Sequence, residues 1–274
     1  MLLSLEGNES SGKTTLAYTA PLPIVGFAYD MGWERALMGY RHQEFFAGLD
    51  IQVISYDKGK IEPDPVEADI VIYELPQPIQ LGGGKLSGCI ALWNYFIVRI
   101  AAALTDKRTR SIVVDTMTTA RRIKADAHLE EIQGRDASRI QLIQIEYGRP
   151  NDAIRDLYTT GAGVRKNLIA VHHLTDERKD SINARGEVTQ VLTGNQILEG
   201  LGNTYRFVDV AVRMEKVHGK GIKATWRKCG YNLAYEGTSV DNPTWDSLVG
   251  QIELGSGDLL KLEHRKEQHA KTIV

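Results

Sequence analysis

The sequence predicts an α/β fold, a parallel sheet with helices on both faces. Three observations carry that expectation. The chain opens with an apolar run, Met1 to Leu5, followed by a glycine-rich turn and an apolar-periodic segment. Short β-branched runs recur at 24–29, 111–116 and 167–171, with segments of helical period between them. Those runs end in polar side chains: Asp30, Asp115 and the pair His172-His173. Alternating strands and helices build a parallel sheet. In such sheets ligands bind in the crevice outside the carboxyl ends of the strands.

The first strand is expected over 1–6 and the first helix over 13–19, ended by Pro21 and Pro23. Between them Gly7-Asn8-Glu9-Ser10-Ser11-Gly12-Lys13-Thr14 reads G-x-x-x-x-G-K-T, with Thr15 next. This is a Walker A loop in its expected setting of strand before and helix after. Gly7 and Gly12 permit a tight turn whose N–H groups converge on one point as an anion nest. The positive end of the helix dipole adds to it. Lys13 would reach the β- and γ-phosphates of ATP, Thr14 would ligate Mg²⁺, and Thr15 could contact the α-phosphate.

The run 24–29 reads as a second buried strand, ending in Asp30-Met31-Gly32-Trp33-Glu34. Glu34 or Asp30 could polarise an attacking water; the alternative for Glu34 is a cap on a helix over 33–40. Short strands are expected at 51–56 and 69–73. Residues 57–88, with Pro76, Pro78 and Gly82-Gly83-Gly84, read as an insertion or an edge hairpin. A core-packed helix follows over 87–104. Ser111 to Thr116 is a Walker B strand in which Asp115 would hold Mg²⁺ through its water shell. Thr116 stands where many ATPases carry the catalytic Glu, so the base must come from elsewhere.

A helix is expected over 118–132, helical chain again over 140–145, and a further helix from Pro150 to about 165. The strand 167–171 brings His172, or its neighbour His173, to the crevice as a γ-phosphate sensor. Adjacent residues in an extended chain point to opposite sides, which argues against a zinc site. Residues 174–196 form a long polar loop carrying Arg178, Lys179 and Arg185. A strand follows at 207–214. From Arg213 to Lys228 there are six basic residues, Lys216, Lys220, Lys223 and Arg227 among them, against Glu215 alone. A hairpin is expected from 222–226 and 231–235, turning at Cys229-Gly230, and a last helix begins near Asn242 to Trp245. The core thus spans 1–250, with a charged tail over 251–274.

The whole chain has 274 residues and a net charge of −2, so no overall basic character announces nucleic acid. Its two cysteines, Cys89 and Cys229, and the short apolar opening fit a cytoplasmic protein.

Gly7 to Thr15 resembles the P-loop of phage-encoded AAA-type, RecA-like ATPases. Val113 to Thr118 is similar to their Walker B segment, Glu146 to Asn151 to a recurring segment, and Val171 to His173 to their sensor strand. Arg227-Lys228-Cys229 and Asn242-Pro243-Thr244 resemble their C-terminal end. The resemblance runs over most of 1–250, except 57–88. It implies an Mg²⁺-dependent ATPase of phage recombination, annealing or repair, working as a ring or filament on single-stranded DNA. A single-strand annealing or DNA-binding protein would be its partner, and the host cytoplasm its setting. The 174–196 loop and the basic residues of 213–228 would then line the DNA path. Arg227 or Lys228 would act as a finger on a neighbour's γ-phosphate. The alternatives are a nucleoside or nucleotide kinase, with Arg135 and Arg139 as a lid, and a DNA-packaging motor or other translocase.

Overall fold

The computed structural model describes residues 1–257 apart from 31, 40–42, 61, 79, 81–83 and 183–187. Gly82, Gly83 and Arg185 and the tail beyond 257 therefore lie outside the described residues.

One sheet of nine strands runs through the molecule, in the order β11-β10-β9-β1-β6-β5-β2-β4-β3. In chain order these are β1 (Leu2–Gly7), β2 (Ile24–Ala28), β3 (Ile51–Ser55), β4 (Ile70–Glu74), β5 (Ser111–Asp115) and β6 (Asn167–His172). A separate pair, β7 (Leu174–Ile182) and β8 (Val188–Leu198), precedes β9 (Val210–Val217), β10 (Gly221–Cys229) and β11 (Ser239–Asp241). The block from β9 to β3 is parallel throughout, while β10 and β11 pair antiparallel at one edge. One strand, β6, separates the glycine-loop strand β1 from the Asp115 strand β5.

The central strands are apolar on both faces, which is why they read as continuous runs. Side chains alternate between two cores. Leu2, Val25, Phe27, Ile112 and Val114 pack under α4 (Cys89–Thr105), α5 (Met117–Gln133) and α6 (Gly148–Val164). Leu3, Leu5, Ile24 and Val113 pack with α1 (Lys13–Ala17), α2 (Gly32–Met38) and α7 (Trp245–Gly255). A short α3 (Gln43–Phe46) follows α2 and adds Phe46 to the second core. Thr116 starts α5 by accepting a hydrogen bond from Thr119 N at 3.1 Å. Thr244 starts α7 in the same way through Ser247 N.

Several expected segments take other forms. β3 and β4 pair parallel, so this edge is not a hairpin, and among the described residues the chain crosses between them without a helix. Buried Arg99 of α4 braces that crossing by donating to Lys60 O and Glu62 O at 2.9 and 3.1 Å. Residues 140–143 are not helical; only a 3₁₀ turn at Gln144–Tyr147 precedes α6, leaving Ile140, Ile143 and Ile145 exposed. The polar stretch after β6 is a hairpin, β7–β8, and not a loop. At the C-terminal end β10 pairs with β9 and β11, while 233–235 is a 3₁₀ turn. Finally, α7 runs past residue 250 and buries Ile252, so the core extends through 255.

Candidate functional site

Gly7 ends β1, and the chain turns sharply at once. A Cβ on Gly7 would stand 2.4 Å from the Met214 carbonyl oxygen on β9, so only glycine lets the two strands pair there. Gly12, at φ 84°, makes the left-handed turn into α1, and Ile222 side-chain atoms lie 3.2 to 3.4 Å from its would-be Cβ. Ser10 is also left-handed at φ 57°. Asn8, Glu9 and Ser10 stand exposed on this turn, whereas Ser11 and Lys13 are buried.

The Lys13 ammonium donates to the carbonyls of Gly7 and Asn8 at 2.8 and 2.7 Å and lies 3.4 Å from Ser11 Oγ. Burial lowers its pKa, against the opposing fields of Asp115, Asp30 and Glu9. Thr14 Oγ1 donates to Asp115 Oδ2 at 2.6 Å, tying the start of α1 to the end of β5. Asp115 is fully buried, and its pKa is pushed up to about 7, first by burial and then by Asp30, against the Thr14 hydrogen bond and Lys13. The structure thus brings Lys13, Thr14, Asp115 and Asp30 to one place. Thr14 Oγ1 and Asp115 Oδ2 are protein oxygens fit for a divalent ion, with the Asp30 carboxylate in electrostatic range. That set suits Mg²⁺, which is commonly bound through one or two carboxylates beside substrate phosphates. Among the described residues no group of three or more His, Cys, Asp or Glu is placed to hold a metal.

The two candidate bases part here. Asp30 lies two residues past the end of β2, exposed but within electrostatic range of Lys13 and Asp115. Its Oδ1 accepts from Gly32 N at 2.8 Å. Glu34 sits exposed on α2. His172 is buried, with Tyr158 Oη 3.1 Å from its Nε2, and burial drives its pKa down to about 3. It sits in the core on the α6 face, where the field of Lys13 also reaches it. His173 is half-buried, and its N–H donates to Thr118 Oγ1 at 3.1 Å.

Sequence reasoning missed Glu6. It is wholly buried in β1, one residue before the loop. Tyr205 Oη donates to its Oε1 at 2.7 Å, and Arg213 and Arg227 lie 3.6 and 3.9 Å away. The available signal was a lone charge inside a strand otherwise buried on both faces. The basic stretch 213–228 therefore divides. Arg213 turns inward to Glu6, and Lys228 donates to the carbonyls of Tyr205 and Val208, both at 2.6 Å. Lys216, Lys220 and Arg227 remain exposed, and Lys223 is half-buried.

The β7–β8 hairpin rises from the same edge. Its foot touches the glycine loop, where Asn8 Nδ2 donates to Gln196 Oε1 at 3.1 Å. Arg178 and Lys179 are exposed on β7, and Ile182, Val188 and Leu192 are exposed along the pair. Arg139 is engaged by Glu146 at 2.6 Å and by Gln141 O at 3.1 Å. Compared with known proteins, the chain matches no family model and no curated sequence. No described helix is long and apolar enough to cross a membrane.

Proposed function

We propose that the chain is a RecA-like P-loop ATPase, binding and hydrolysing ATP with Mg²⁺ at the junction of β1, α1 and β5. The observation that carries this reading is the convergence of Lys13 and Thr14 with Asp115, whose Oδ2 is 2.6 Å from Thr14 Oγ1. The interposition of β6 between β1 and β5 supports the RecA-like rather than the kinase-like arrangement. The engagement of Arg139 by Glu146 supports hydrolysis over transfer to a lidded acceptor.

In this reading the N–H groups of the loop cradle the phosphates, and Lys13 exchanges its carbonyl partners for β- and γ-oxygens. Bound Mg²⁺ would neutralise charge developing on those oxygens. Thr14 and Asp115 would hold it, directly or through its waters. Asp30 orients the attacking water and takes its proton; its nearness to Lys13 and Asp115 favours it over Glu34. Single-stranded DNA would run along the hairpin and the exposed lysines of β9–β10, in an oligomer where Arg227 reaches a neighbour's phosphate. Lys228 is less suited to that role, because its half-buried ammonium donates to two carbonyls, whereas Arg227 is exposed beside its ion pair with Glu6.

The test is ATP turnover by purified protein with and without single-stranded DNA. Lys13→Ala should abolish turnover in a folded protein, because charge stabilisation of the transferring group is lost. Asp30→Asn should retain binding and lose roughly 10²-fold in hydrolysis, the scale of a missing general base. Glu34→Gln should stay near wild type. Normal turnover in Lys13→Ala would end the assignment, and a larger loss in Glu34→Gln would exchange the bases.

A further inference from the structure

Beside Gly12 and Thr15 a cleft of about 280 Å³ opens between α1 and the C-terminal strands. Leu16 forms one wall, and Met214, Ile222 and Pro243 form the other. A second cleft of about 360 Å³ shares Ile222 and is lined by Lys220, Lys223, Ser239 and Asp241. If the loop holds a triphosphate, Thr15 stands at the α-phosphate end, so the rest of the nucleotide leaves the loop beside this first cleft. Small-molecule sites are mostly apolar with a few placed polar groups.

Resting on the P-loop reading, we propose that the first cleft seats the nucleoside, and that it grips the base by apolar contact with little choice between bases. The polar side chains lining it are Thr15 and Asn242. Asn242 Oδ1 accepts from Ile222 N at 3.1 Å and its main-chain N–H donates to Ile222 O at 2.6 Å, which leaves its Nδ2 donors to meet ring-nitrogen acceptors that adenine and guanine both present. Its left-handed φ of 45° holds it in that position at the end of β11. Among the described residues no carboxylate lines this cleft to accept the N–H groups of a guanine edge. Asp241 belongs to the neighbouring cleft, across Ile222. Aliphatic and proline surfaces can cover the flat face of any base. An apolar pocket rejects a near-isostere weakly, whereas a hydrogen-bonding site rejects one that cannot pair by roughly 10⁴-fold or more. The substrate class is therefore nucleoside triphosphates broadly, ATP included.

The experiment compares Mg²⁺-dependent binding of ATP, GTP and inorganic tripolyphosphate by calorimetry. Wild-type protein should bind ATP and GTP within about tenfold of each other, and both more tightly than tripolyphosphate. Ile222→Trp, which fills the cleft, should weaken both nucleotides by about tenfold or more and tripolyphosphate by much less, even though the side chain also borders Gly12. Ile222→Ala is the gentler variant, and should weaken the nucleotides by a few-fold with the same selectivity for the nucleoside part. Tripolyphosphate binding as tightly as ATP would overturn the nucleoside seat while leaving the P-loop reading intact. So would Ile222 variants that, still folded, weaken all three ligands equally. ATP preferred over GTP by roughly 10³-fold or more would overturn the unselective grip and point to hydrogen-bonded recognition. Should wild-type protein and Lys13→Ala alike bind none of the three, the P-loop reading falls first and this one with it.

Discussion

Asp115 and His172 are both buried and ionisable, and burial moves their pKa values in opposite directions. His172 falls from 6.5 to about 3. As pH drops from 6.5 towards 3, the unfolded chain gains a proton that the folded one refuses, so stability is lost on acidification. Asp115 rises from 3.8 to about 7. The folded chain keeps its proton while the unfolded chain releases it, so stability is lost as pH rises through that window. Each slope is at most about 1.4 kcal/mol per pH unit, and between about pH 4 and 6.5 they oppose. Melting of the metal- and nucleotide-free protein should show the two contributions nearly cancelling there. In Asp115→Asn the melting temperature should climb from pH 4.5 to 6.5, and in His172→Gln it should decline. Parallel profiles for the two variants would refute the opposition. At this scale the turn between β1 and α1 was legible, because Gly7 and Gly12 mark backbone geometry in the sequence. His172 was not, because a strand-end polar residue gives no sign of which face it takes. Register decides: His172 stands opposite Glu6 on β1, on the face that α6 covers.

Among the elements, the β7–β8 hairpin departs most from the sequence reading. Polar composition with Gly186 and Gly194 suggested an unstructured connection. What composition hid is a cross-strand ladder from Leu174↔Leu198 to Ile182↔Val188, interrupted by an irregularity beside Asp176. Glu177 knits that irregularity by accepting from Thr193 Oγ1 at 2.7 Å and Asn195 Nδ2 at 3.2 Å. A two-stranded ribbon is only marginally stable alone, and it adds no strand to the nine-stranded sheet. Replacing 175–197 by a short Gly/Ser linker should therefore leave cooperative unfolding in place, with a melting temperature within a few degrees of wild type. In the proposed function the same variant should keep basal ATP turnover and lose its stimulation by single-stranded DNA. A deletion that unfolds the protein would instead make the hairpin part of the core.

For the whole molecule, a net charge of −2 means that any affinity for nucleic acid must be local. Inward-facing Arg213 and Lys228 cannot contribute, so the exposed cations of the hairpin and of β9–β10 must supply it. Arg178→Glu with Lys179→Glu should weaken binding to single strands of any sequence. It should also reduce the slope of log affinity against log salt by about 1.4, roughly 0.7 for each lost phosphate contact. Binding titrations at several salt concentrations check this, and an unchanged slope would remove these two residues from the path. The parallel order of the sheet was legible from alternating periods. Its antiparallel edge was misread because β10 is continuous through Cys229, where glycine suggested a turn. A turn at Gly219 and a third strand at Ser239 made a different use of the same residues.

The hairpin also has a mechanical consequence. From its foot at Leu174 to Ile182 it spans eight residue steps, about 26 Å at roughly 3.3 Å each. The foot is linked to the glycine loop through Asn8 and Gln196. As long as its strands stay paired, a ribbon of that length is a lever with its fulcrum beside the loop: a tilt of about 5° at the fulcrum carries the far end about 2 Å. A displacement too small to disturb the packed sheet at the short arm thus becomes, at the long arm, a step on the scale of an atomic contact.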